Sequence, residues 1–130
     1  MAYITRNDMI AWFGETEIVR LERNISGNQA GDENVTNQAI SSACTEADSY
    51  IAVKYPPPLP STPDQLKRVV GNIARKNLYK SKTPEDVRQD YDDAISWLNK
   101  VATNKAVLIF LNEEKDKAEE YGDSVAIFVV

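Results

Sequence analysis

The chain reads as a mainly α-helical protein: a compact bundle of about five helices with a proline-rich elbow and an extended C-terminal arm. Three observations point there. Helix-start signals recur at Thr5-Arg6-Asn7-Asp8, Thr62-Pro63-Asp64 and Thr83-Pro84-Glu85. Apolar residues between them fall at steps of three and four. After Asn104 that spacing gives way to short β-branched and aromatic runs.

Each element has its own cause. The hydroxyl of Thr5 and the acid of Asp8 form a capping box opening a short helix through Met9, Ile10, Trp12 and Phe13, stopped at Gly14. Acids in Glu15-Thr16-Glu17 suit the positive end of a second short helix carrying Ile18 and Leu21. Asn24 to Asn34 is loop chemistry. Val35, Ala39, Ala43, Ala47 and Ile51 give a third helix running to about Lys54, and its small residues permit close approach by a neighbour. Tyr55 precedes a proline and is driven extended, and the elbow Tyr55-Pro56-Pro57-Pro58-Leu59-Pro60 follows a polyproline-like path. Thr62 is read as the cap of a fourth helix with Pro63 in its first turn. Leu66, Val69, Val70, Ile73, Ala74 and Leu78 form its stripe. Val87, Tyr91, Ala94, Leu98 and Val101 are the clearest seam, on a fifth.

Residues 1–105 are read as the bundle and 106–130 as an arm. Ala106 to Leu111 and Val125 to Val130 are candidate strands flanking an acidic stretch. The run Val125, Ala126, Ile127, Phe128, Val129 and Val130 is expected to pair with a sheet edge in its own subunit or in a neighbour, because a bare apolar strand is an aggregation hazard.

Composition narrows the chemistry. The 130 residues are 42% hydrophobic and 27% charged, which is ordinary for a single globular domain. Histidine is absent and Cys44 is the single cysteine, so imidazole nucleophile pairs, zinc sets and an intrachain disulfide are excluded. Adjacent acids such as Asp92/Asp93 and Glu113/Glu114 diverge by about 100° on a helix and do not converge on one ion. No phosphate-loop or calcium-loop spacing occurs. No catalytic, metal or cofactor site is read. The start of the chain lacks an apolar export segment and no run approaches a membrane span, so a cytoplasmic setting without membrane contact is expected.

The net charge of −5 is unevenly spread. Between Asp64 and Lys82, six cations (Lys67, Arg68, Arg75, Lys76, Lys80, Lys82) oppose a single acid. Residues 84–104 carry five acids against two cations, and 112–123 six acids against two lysines. The plain reading is solvated helix faces or weak surface pairs. The sharper one is a basic face past which phosphates travel, contacted without regard to base sequence. On that reading, reversing Lys67, Arg68, Arg75 and Lys76 is expected to spoil the contact while leaving the fold intact.

Taken in order, Thr5-Arg6-Asn7-Asp8-Met9 with Phe13-Gly14 and the helix Glu17 to Leu21 resembles a known family. So do Ala47-Asp48-Ser49-Tyr50-Ile51, Tyr55, Pro58-Leu59-Pro60, Ile73-Ala74-Arg75, Leu78-Tyr79 and Val87-Arg88. The stretch Tyr91-Asp92-Asp93-Ala94-Ile95-Ser96-Trp97-Leu98 completes the pattern. The chain is similar to the small head-completion proteins of Mu-like phages and prophages over residues 3 to 108. Beyond Leu108 it departs, with acidic and apolar segments where a Gly/Pro/Ser-rich tail is expected.

That resemblance implies a head–tail connector, or adaptor, with no catalytic residues. Copies would form a ring, expected to be twelvefold, below the portal protein and around the DNA exit channel of the virion neck. A tail-completion or tail-terminator protein would follow, with assembly in the host cytoplasm and only non-specific proximity to packaged double-stranded DNA. Three alternatives remain open: a tail terminator or completion protein, a non-viral helical protein-binding adaptor, and an enzyme of unfamiliar type that would gather carboxylates or lysines in a pocket.

Overall fold

A computed structural model describes residues 2–110. Its five helices are α1 (Arg6–Phe13), α2 (Glu15–Ser26), α3 (Glu33–Ile51), α4 (Asp64–Tyr79) and α5 (Glu85–Ala102). Helices α3, α4 and α5 pack mutually as the centre of the bundle, and the short pair α1–α2 lies against α3 and α4. The core holds most of the stripe residues expected from periodicity, with Met9, Ile18, Ile51, Leu66, Ile73 and Leu98 essentially inaccessible, and adds Tyr3, Ile4 and Leu108, while Val35 and Tyr91 are only partly buried. The small residues Ala39, Ala43 and Ala47 of α3 are buried, as a close helix neighbour requires.

The Thr5–Asp8 capping box is present in both directions. Helix α2 ends at Gly27, which takes the left-handed conformation (φ 85°) that closes a helix without a Cβ penalty. Helix α3 starts two residues earlier than the apolar pattern indicates, because Asp32 caps it by accepting from the Asn34 amide at 3.0 Å.

Three details differ from expectation. Pro63 and Pro84 occupy the cap positions of α4 and α5 and not the first turn. Their carbonyls accept the first helical bonds from Lys67 and Arg88, and neither threonine caps: the Thr83 hydroxyl donates back to the Lys80 carbonyl at 3.0 Å. The elbow is not a uniform polyproline helix, since the Pro57–Pro58 peptide is cis. Residues 106–110 are neither strand nor continued helix. They run irregularly against the elbow, with Leu108 buried, its amide donating to the Tyr55 hydroxyl at 3.3 Å and Phe110 edge-on to the Tyr55 ring. The bundle therefore reaches past residue 105. The described residues contain no strand, and the Val125–Val130 run lies outside them.

Candidate functional site

The six cations from Lys67 to Lys82 do not share one face. At about 100° per residue, Arg68 and Arg75 project on one side of α4, with Lys67 and Lys76 to either side of them. Arg75 turns inward. Its guanidinium is bidentate to the Glu17 carboxylate (2.6 and 3.1 Å) and lies 4.6 Å from the centre of the Phe13 ring. The bond to Glu17 holds the guanidinium above its ordinary pKa. Arg75 is a brace between α4 and α2, so reversing it would set an acid against Glu17 and damage the fold. That corrects the expectation that reversal is structurally silent. Arg68 lies over Trp12 at 5.2 Å while remaining exposed, and Lys67 is half-buried.

Lys76 and Lys80 do come together. They stand on a ridge between two depressions. On one side a groove of about 470 Å³ has Ile25, Val35, Ala39 and Leu78 as its apolar lining. On the other, a cleft of about 310 Å³ adds Arg88, Ser81, Thr83 and Tyr91, with Asp92 as its acid. The Lys76 ammonium sits 4.6 Å from the centre of the Tyr91 ring, and the Tyr91 hydroxyl donates to Glu46 at 2.8 Å. Burial first, then that carboxylate, push the Tyr91 phenol up to about 12. Lys82 is exposed in the same turn. Lys80 holds φ 57° and ψ −127°, a backbone region that costs a side-chain-bearing residue strain. Sequence counting missed Arg88 by assigning it to the acidic helix. Its place one turn into α5, beside the Lys80–Lys82 turn, is the signal that could have found it.

A second cluster is internal. Glu22 is fully buried, and its carboxylate accepts from Arg6 Nε at 2.8 Å and Arg6 Nη2 at 2.9 Å. It also accepts from the Asp32 amide at 3.1 Å and from the Thr36 hydroxyl. Burial acts to raise this carboxyl, but Arg6, Thr36 and the Asp32 amide outweigh it and hold it below the usual carboxylate range. With every oxygen satisfied, the group ties α1, α2 and α3 together and has nothing left for a substrate.

Cys44 is buried and accepts from the Tyr3 amide at 3.4 Å; burial raises its thiol, the environment of an inert cysteine. Among the described residues no group of three or more acids or cysteines could hold a metal ion, and no helix is long and apolar enough to cross a membrane.

The family described as "Bacteriophage Mu, Gp36" matches residues 3–127. The chain belongs to that family. It is 32% identical over 112 residues to the "Mu-like prophage FluMu protein gp36" of Haemophilus influenzae, covering 86% of this chain and 70% of that protein. It is 31% identical over 105 residues to "Gene product J" of Escherichia phage Mu, covering 81% and 74%. The Gp36 match corrects one expectation. The family pattern does not stop at Leu108 but continues through the acidic segment into the apolar run. The Mu-like origin is therefore carried by the arm as well as by the bundle.

Proposed function

We propose that this chain is a structural virion protein, a head–tail connector whose copies form a ring below the portal around the DNA exit channel, and that it is not an enzyme. The observation that carries the reading is membership of a Mu-phage family along nearly the whole chain. The geometry supports it in three ways. Among the described residues, the buried Glu22 and the mostly covered Arg75 are committed to holding helices together. The short helices brace each other into a rigid block. Lys76, Lys80 and Arg88 gather at the C-terminal end of α4, where they can meet an acidic partner surface or pass near phosphates. On this reading the partners are further copies in a ring expected to hold twelve, the portal protein on one side and a tail-completion or tail-terminator protein on the other. The site of action is the virion neck, after assembly in the host cytoplasm.

The test is a nonsense mutation in this gene in an inducible Mu-like prophage, followed by electron microscopy of the particles. Filled heads and free tails that fail to join are expected, and side-chain-resolution density of the wild-type neck should contain the five-helix bundle. Joined particles with tails of irregular length would reassign the chain to the tail-terminator role. Normal infectious particles would remove a virion role altogether.

A further inference from the structure

The groove between the ends of α2, α3 and α4 is an unfilled depression with a definite chemistry. Ile25, Val35, Ala39 and Leu78 give it an apolar strip, Ile25 being 39% exposed, Gln38, Ser42 and Asn77 add uncharged polar groups, and Lys76 and Lys80 stand along one wall. The required ligand is an acidic segment joined to an apolar one.

The chain contains such a segment outside the described residues. Residues 112–123 hold six acids against two lysines, and Val125-Ala126-Ile127-Phe128-Val129-Val130 follows at once. We infer that the groove of one copy receives residues 112–130 of a second copy, with the acids against Lys76 and Lys80 and the apolar run on Ile25, Val35 and Leu78.

Placement selects a second copy over the same chain. The arm leaves the bundle beside the start of α4, where Val107, Leu108 and Ile109 line a cleft with Pro63, Asp64 and Gln65. The groove lies at the far end of that helix. Asp64 and Lys76 are roughly 18 Å apart at about 1.5 Å per residue, so a chain filling its own groove must double back along the bundle. A donor at one end and an acceptor at the other make a head-to-tail contact, which closes into rings when the rotation allows. Residues 2–110 contain no sheet edge, so on this inference the apolar run meets the groove through side chains. The strained backbone at Lys80 fits this use, because a strained residue persists where the fold holds it for a purpose.

The inference rests on the ring reading only for closure and is tested without particles. A fluorescein-labelled peptide of residues 111–130 is titrated into the full chain and followed by anisotropy. Saturable binding is expected, weaker in high salt. Lys76→Glu with Lys80→Glu should reduce affinity by about tenfold or more with the circular dichroism unchanged. A peptide carrying Glu113→Lys, Glu114→Lys, Glu119→Lys and Glu120→Lys should recover binding to that variant. Binding indifferent to the lysine changes overturns the groove. A peptide that binds only to a chain whose own arm carries the four reversals, with the wild-type chain monomeric by light scattering at the same concentration, shows each arm filling its own groove, and overturns the exchange between copies. Binding to neither chain sinks the inference, while the particle experiment still decides the connector role.

Discussion

Arg75 and Lys76 are neighbours in sequence and opposites in environment. Arg75 is clamped to Glu17 and covered by Phe13, while Lys76 rests on Tyr91 at the lip of two depressions. One cation joins α4 to α2; the other faces outward at the end of the bundle. A run of like charge in sequence is therefore not a surface. The roughly 100° between successive residues divides it into structural and interfacial members. The same division separates Arg6, committed to Glu22, from Arg88, which stands beside Lys80 and Lys82.

The deepest internal pair should show the largest effect. Arg6→Leu leaves the Glu22 carboxylate buried with only Thr36 and the Asp32 amide, and is expected to cost about 3 kcal/mol, the lower end for breaking a buried pair. Urea unfolding at several pH values adds a sign test. In the wild type Glu22 is held low, so its stabilisation is complete above the unfolded carboxyl pKa, about 4.3, and is lost as pH falls through the folded value. Without Arg6, burial pulls the folded value upward, so the acid-side loss of stability should shrink. An unchanged pH slope would mean that Arg6 is not what keeps Glu22 ionised.

The neighbouring pair sharpens the contrast directly. Arg75→Met removes the Glu17 bonds and the stacking on Phe13, with both charged side chains mostly covered (15% and 18% exposed), and should cost about 1–2 kcal/mol. Lys76→Met should stay within about 0.5 kcal/mol, as for most surface changes. Equal losses in urea midpoint would erase the distinction between brace and rim.

Much of this was legible beforehand, and what was missed has physical reasons. The stripes of α4 and α5 and the stop at Gly14 follow from side-chain periodicity and local backbone rules, which act within a few residues, whereas α3 ends at Ile51, short of the end near Lys54 that the proline rule indicates. Glu22 was hidden because a charged residue is assigned to solvent by default. Yet it lies four residues after Ile18 and next to Leu21, on the buried side of α2, and that position was the available signal. Gly71 is similar. A Cβ there would lie 2.7 Å from the Trp12 ring, so the glycine admits α1 against α4, a contact between segments nearly sixty positions apart that no local pattern encodes. The groove depends on three helix ends meeting, which only tertiary packing fixes.

A smaller effect than the loss of either brace separates stability from use at one residue. Lys80 sits at φ 57° in the turn between α4 and α5, where glycine is at ease and lysine is strained. Lys80→Gly relieves that strain but gives the unfolded chain more freedom, so the net gain should be about 0.5–1 kcal/mol. The same change removes one of the two ammonium groups on the groove wall, so affinity for the 111–130 peptide should fall by a few-fold as the urea midpoint rises. Optimising the fold alone would favour glycine here. If the variant gains stability and keeps full peptide affinity, Lys76 alone carries the contact and the strain at Lys80 has no part in it. A loss of stability would show that the turn depends on the lysine side chain, and the functional reading of its backbone would fall with it.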